Sequence, residues 1–274
     1  MKDLGIPIRP DVQLTDQATT ELIEVLNNTI GKEAVAKLQA EEINHIGNFL
    51  LTLTATRLKI QKREQEKNMK LQKQEITTKT KFIFHGGETG RLNQHNANFY
   101  REWVATFDDD FIPTILLTYY AVEEDKWGEK EMQDKERFAA YTNNRKVNFI
   151  VAHTDLEIFK KQIEQADVIY VRGGSSQLVY EKMKPIKDEF LDLIQGKVYA
   201  GSSAGVMFLS HYARSHTTIQ WQKFHGLLPI VSIVHWFDEY QQSLDEFKKE
   251  HNGKEGVEWE YLLIPETEFI IRYF

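Results

Sequence analysis

The 274 residues are 41% apolar and 27% charged, a globular composition long enough for one large α/β domain or for a domain with an appendage. A formal net charge of −7 argues against nucleic acid as a partner, and the absence of cysteine removes disulfides, thiolate nucleophiles and cysteine-based zinc sites. No run of about 18 apolar residues suggests a membrane span. The opening MKDLGIPIRPDVQ has no apolar core of a signal peptide, so a cytoplasmic protein that does not engage a membrane is expected.

The first 80 residues differ in texture from the rest. Thr15 or Asp16 can cap a helix in which Leu22, Ile23, Val25, Leu26 and Ile30 recur at helical spacing, with Gly31 as its stop. A second helix is expected from about Lys32, carrying Val35, Leu38, Ile43, Ile46, Phe49, Leu50 and Leu53. Between Arg57 and Lys73, five lysines and two arginines face only Glu64 and Glu66, which marks a solvated, helical basic connector over residues 57–80. Residues 1–80 are therefore expected to form a helical extension, a candidate surface for a homodimer or another protein partner.

From Thr80 the pattern becomes alternating. KFIFH (Lys81–His85), PTILLTYY (Pro113–Tyr120), VNFIVA (Val147–Ala152) and VIYV (Val168–Val171) read as buried strands. Helical stretches are expected over 98–107, 123–145, 156–166, after Ser176, and over 185–193. The 123–145 stretch is read as charged and helix-like. Strands and helices in this order predict a parallel sheet covered on both faces over residues 81–274, with ligands at the carboxyl ends of the strands.

Three of those ends carry small residues: His85-Gly86-Gly87, Gly173-Gly174-Ser175 and Gly201-Ser202-Ser203. Glycine pairs there let backbone N–H groups face a ligand, as an oxyanion hole requires. The last cluster lies in KVYAGSSAGVMFLS (Lys197–Ser210), an apolar strand, GxSxG and an apolar helix start, which is the pattern of a nucleophile elbow with Ser203 at its apex. An ordinary strand-to-helix turn is the plainer reading of five small residues. Neither GxGxxG nor GxxxxGK[ST] occurs, so nucleotide binding is the weaker reading.

The segments IYVRGGSSQL (Ile169–Leu178), YAGSSAGVMFLS (Tyr199–Ser210) and GLLPIVSIVHW (Gly226–Trp236), in this order and spacing, resemble the peptidase S51 group. That group contains dipeptidase E, an aspartyl dipeptidase, and cyanophycinase. The resemblance covers about residues 81–274 and implies a class I glutamine amidotransferase-like, flavodoxin-like three-layer fold. It implies Ser203 as nucleophile, His235 as general base, and the N–H groups of Gly174 and Ala204 as the oxyanion hole. A serine peptidase acting on a small peptide or amide follows, N-terminal aspartyl dipeptides included.

The resemblance also implies an acidic triad member between serine and histidine, yet residues 204–234 contain no Asp or Glu. Alignment on Thr217-Thr218 puts Gln220 at that place as an orienter of His235. Asp238, Glu239, Glu266 and Glu268 are the alternatives. With the acid missing, a non-catalytic or repurposed binding module on the same scaffold, with the N-terminal helices as interaction arm, is the competing reading. An esterase of the α/β-hydrolase kind is a weaker one, since no HGGG loop is present. His85, Gly86, Gly87, Ser175 and Arg172 are expected to line the substrate pocket, and Arg172 or Arg214 to hold a substrate carboxylate. His45, His95, His153, His211, His216, His225 and His251 form no HExxH or paired-ligand pattern, so no metal and no cofactor is expected.

Overall fold

The computed structural model describes residues 16–36, 79–214, 219–251 and 258–274. The chain divides into two compact units, Met1–Gln74 and Glu75–Phe274. In the first, α1 (Asp16–Ile30) ends at Gly31, whose φ of 87° few other residues tolerate, and α2 (Lys32–Val35) follows. Leu22 and Val35 are buried, whereas Val25, expected on the same stripe, is exposed. The cap at Thr15, the rest of the second helix and the basic connector as far as residue 78 lie outside the described residues, as do Thr217 and Thr218.

The second unit is α/β. Its main sheet has the order β10-β1-β5-β4-β2-β3, built from β1 (Lys81–His85), β2 (Thr114–Thr118), β3 (Asn148–Val151), β4 (Val168–Val171), β5 (Val198–Ser202) and β10 (Phe269–Tyr273). All neighbours are parallel except β10, which runs antiparallel to β1. Between the strands lie α3 (Gln94–Glu102), α4 (Trp127–Tyr141), α5 (Leu156–Gln165), α6 (Ser176–Met183) and α7 (Lys187–Leu193). Three of these helices are capped by Asn93, Asp155 and Ser175, whose side-chain oxygens accept N–H groups of the first turn.

The near-continuous apolar strands serve two cores because successive side chains point to opposite faces. Phe82, Phe84, Leu116, Ile169, Val171 and Tyr199 pack with Phe159 and Ile163 of α5, Val179 and Met183 of α6 and Phe190 of α7. Ile83, Ile115, Leu117, Val168, Tyr170 and Ala200 pack with Phe99 and Tyr100 of α3, Trp103 beyond it, and Phe138 of α4. A sheet sandwiched between helices results. Truncating one of these rings to alanine would cost roughly 3–5 kcal/mol.

A second sheet, not foreseen from the sequence, has the order β7-β6-β8-β9, with β6 (Tyr212–Arg214), β7 (Trp221–Lys223), β8 (Ile230–Val234) and β9 (Glu260–Ile264). Ile230 and Val234 of β8 and Leu262 and Ile264 of β9 join the first core. On its other face, Val231 packs with Trp259 and with Phe247 of α8 (Ala204–Met207)'s successor helix, α9 (Gln241–His251). Because β9 pairs with β8 and β10 with β1, the chain passes from one sheet to the other through the turn Pro265–Glu268. No helix among the described residues is long and apolar enough to cross a membrane.

Candidate active site

β5 ends at Ser202 and α8 begins at Ala204, leaving Ser203 as the single residue of the turn. Its backbone sits at φ 48° and ψ −106°, a left-handed conformation that costs a non-glycine residue of order 1–3 kcal/mol. The neighbours explain how it is held. A Cβ on Gly201 would stand 2.7 Å from Gly205 O, and one on Gly205 would stand 2.3 Å from Val171 O. Only glycine at both positions lets β4, β5 and α8 approach this closely. The Ser203 N–H donates to His85 O at 2.9 Å, which ties the elbow to the end of β1.

His235 follows β8 and is also left-handed, with φ 51°, and is buried. Its N–H donates to Gly86 O at 3.0 Å, and its ring lies directly on Gly87. A Cβ at Gly87, whose φ is 130°, would stand 2.2 Å from His235 Cε1. Gly86 in turn leaves room for the turn after β9, since a Cβ there would be 2.0 Å from Pro265 O. The two glycines after β1 therefore seat the imidazole and the turn facing it, although Gly87 also lines the cleft.

His235 Nε2 lies 3.1 Å from Ser203 Oγ, and His235 Nδ1 lies 3.0 Å from Glu266 Oε1. Burial pushes the Glu266 carboxyl up, but the hydrogen bond and charge of His235, and after them Arg91, outweigh it and hold it below the ordinary glutamate value. An ionised Glu266 accepts the Nδ1–H, so Nε2 is left to accept the Ser203 hydroxyl proton. Arg91 Nη2 donates to the other Glu266 oxygen at 2.9 Å. The carboxylate that faces His235 thus comes from the turn between β9 and β10, beyond the histidine in sequence. Gln220, the expected orienter, is exposed immediately before β7, and Asp238, Glu239 and Glu268 are exposed as well.

His85, expected at the pocket wall, is instead fully buried behind it. The Asn96 amide donates to Glu88 O at 2.8 Å and Arg91 O at 2.6 Å, so its oxygen faces His85 Nε2 at 2.8 Å and accepts from it. His85 Nδ1 then accepts the Gly87 N–H at 3.1 Å. Burial, opposed by the Asn96 hydrogen bond, lowers the His85 pKa to about 4 and keeps the ring neutral. His85 and Asn96 therefore fix the loop that carries Gly87 and Arg91.

A cleft of about 440 Å³ opens in front of Ser203 and His235, lined also by Gly87 to Gly90, Lys130, Gln133, Arg137, Arg172, Gly173 and Gly174. Ala204, as the first residue of α8, has an N–H beyond the reach of the intrahelical ladder. Neither that N–H nor the one of Gly174 donates to a backbone carbonyl among the described residues. Gly174 has φ 154°, and a Cβ there would stand 2.3 Å from Ala121 O. Ser175 caps α6 through its hydroxyl, and Arg214 is buried under the Tyr240 ring at 3.8 Å.

Arg172 reaches the cleft and is in short contact with buried Asp134. Burial opposes its charge, but Tyr170 and Asp134 outweigh that and hold the guanidinium above its ordinary value. Burial also pushes the Asp134 carboxyl above the usual aspartate range, against the pull of Arg172 and Arg137. The residues missing from the sequence reading are Arg91, Asn96, Lys130, Asp134 and Arg137. The spacing of Lys130, Asp134 and Arg137 on one helical face was the available signal for the last three. Among the described residues no His, Asp and Glu cluster could hold a metal ion.

Comparison with known proteins bears on this arrangement. The model of peptidase family S51 matches residues 89–260, well over half of the chain. Among solved structures, a peptidase from an acI-B1 Actinobacterium is similar at 15% identity and a TM-score of 0.44, over 65% of this chain and 74% of that one. A putative peptidase E protein from Listeria monocytogenes EGD-e is similar at 13% identity and a TM-score of 0.46, over 72% of this chain and 99% of that one. No significant match is found among curated proteins. The extent of the family match, over an α/β unit whose serine elbow falls inside the matched residues, means that the chain belongs to peptidase family S51.

Proposed function

We propose that this protein is a serine peptidase in which Ser203, His235 and Glu266 act as nucleophile, general base and orienting acid. The observation that carries the reading is the chain of hydrogen bonds from Ser203 Oγ through both nitrogens of His235 to Glu266. Ser203 attacks the carbonyl carbon of the scissile amide while His235 Nε2 takes its proton. Glu266 stabilises the imidazolium that forms, and the N–H groups of Ala204 and Gly174 hold the oxyanion. His235 then gives the proton to the leaving amine, and a water enters by the same route in reverse to release the acyl group from Ser203.

The cleft supports an acidic substrate. Lys130, Arg137 and Arg172 line it against a single lining acid, exposed Glu88. Arg137 and Arg172 share the one carboxyl of Asp134 while Lys130 meets Glu129, and cations at the wall suit a small peptide with an acidic side chain next to the scissile bond, as in N-terminal aspartyl dipeptides. The competing reading of a binding module drew its support from a missing acid, and Glu266 supplies one. The test is hydrolysis of a panel of dipeptides by the protein and by Ser203→Ala. Turnover of acidic members that disappears in Ser203→Ala is expected; turnover unchanged in that variant would remove the serine mechanism.

A further inference from the structure

His85 does not line the cleft, and its ring is fully buried against Phe99, with 4.4 Å between centroids. Short paths nevertheless run from it to Ser203, His235 and Glu266. Its carbonyl accepts the Ser203 N–H at 2.9 Å. Its Nδ1 accepts the Gly87 N–H at 3.1 Å, and Gly87 is the seat of the His235 ring. Gly87 O in turn accepts the Thr267 N–H at 2.9 Å, one residue beyond Glu266. Gly87 has no side chain to hold it and sits at φ 130°, so these two hydrogen bonds fix its place. The bond to Nδ1 exists only while that nitrogen is bare, because a protonated Nδ1 would set donor against donor. Asn96 decides which nitrogen carries the proton. Its amide nitrogen is spent on Glu88 O and Arg91 O, which leaves its oxygen for His85 Nε2, and Nε2 must donate.

We propose that His85 is a positioning residue of the reaction: its Nε2–H tautomer, set by Asn96, holds Gly87 under the His235 imidazole and so keeps His235 Nε2 on Ser203. This rests on the serine peptidase reading above. The pair repeats, one layer inside, the relation of Glu266 to His235, with an amide in place of the carboxylate. An amide suits the inner position. A carboxylate there would draw a second proton onto His85 and turn Nδ1 from acceptor to donor, whereas Asn96 fixes the tautomer without charge. Burial keeps the ring neutral in the same sense, and a positive charge on the facing His235 adds to it. The imidazolium formed on His235 during turnover therefore leaves the seat beneath it intact.

The test reads the histidine ring nitrogens of the isotopically labelled full chain by NMR at neutral pH, in the parent, in His85→Gln and in His85→Asn, beside steady-state kinetics on a dipeptide. The parent shows His85 protonated on Nε2 and bare on Nδ1. Glutamine reaches the Nε2 position and keeps the bond to Asn96 but offers Gly87 no acceptor, whereas the shorter asparagine places its oxygen where Nδ1 stands. In His85→Gln the His235 ring shifts move, and kcat falls on the order of 10²-fold with KM within about twofold. In His85→Asn the His235 shifts stay near those of the parent, and kcat recovers to within about tenfold. A His85 ring protonated on Nδ1, His235 shifts untouched in His85→Gln, or equal damage in the two variants overturns the proposal. The tautomer is read in the parent itself, so the outcome does not hang on either variant folding. Ring shifts need no turnover. Failure of the serine mechanism would therefore show separately, as absent Ser203-dependent hydrolysis in the parent with the His85 and His235 signals as stated.

Discussion

His235 Nδ1 and Glu266 Oε1 are 3.0 Å apart, although 31 positions separate them and the strands beside them, β8 before His235 and β10 after Glu266, belong to different sheets. The contact is made where the chain crosses between the sheets, and Arg91 grips the second oxygen of the same carboxylate. Glu266→Gln keeps the shape but removes the charge that stabilises the imidazolium. It should lower kcat by ~10³–10⁴ with KM little changed, on the precedent of acid-to-amide changes in serine proteases. Gln220→Ala, at an exposed position, should leave both within twofold, roughly the scatter expected of a surface change. Steady-state kinetics on the pair checks this directly.

Gly87→Ala should damage the site more than the fold. A Cβ at φ 130° and 2.2 Å from the His235 ring must push the imidazole off Ser203. A displacement of this kind should cost on the order of 10²-fold in kcat. Near-native circular dichroism with lost turnover is expected; unchanged turnover would mean the ring is not seated on Gly87.

Gly205→Ala acts on the elbow itself, where the added methyl would stand 2.3 Å from Val171 O of the neighbouring strand. Backbone cannot move aside as a side chain can, so a loss of about 1–3 kcal/mol or more in unfolding free energy is expected. Urea titration gives the number.

His85 predicts an acid limb of stability. Its folded pKa, lowered to about 4 by burial, lies below the unfolded value of 6.5, so the unfolded chain binds the extra proton between those limits. The stability contributed by the neutral ring is complete above pH 6.5 and is lost as pH falls toward 4, in total on the order of 3 kcal/mol. His85→Gln should flatten that window in denaturant titrations run across pH. The depressed Glu266 has a related sign, its contribution being present above the unfolded glutamate pKa and lost as pH falls through the folded one.

Arg91→Ala should act through Glu266 alone. Its ion pair is half exposed, so global stability should change by no more than about 1 kcal/mol. The carboxylate loses one of two partners, and kcat should fall several-fold while KM stays put, which distinguishes a positioning role from a surface pair.

The main sheet was legible because its strands are runs of buried apolar residues separated by stretches of helical spacing. The elbow pattern singles out Ser203 through small residues at fixed offsets, the family resemblance singles out His235, and the structure sets the two side chains 3.1 Å apart. The second sheet was not legible, since YAR and WQK are too short to show a period. Glu266 stood among several acids of equal sequence merit, and only the crossing of β9 and β10 between sheets aims it at His235. Gly86 and Gly87 read as donors toward a ligand; their work is to make room for Pro265 and for the imidazole.

The most direct test of the account is mass mapping of the protein after reaction with a fluorophosphonate. The arrangement of Ser203, His235 and Glu266 predicts a single adduct on Ser203, absent in Ser203→Ala and strongly slowed in His235→Ala and Glu266→Gln. No adduct on Ser203 in the intact protein, or labelling that proceeds equally well without His235, would contradict it.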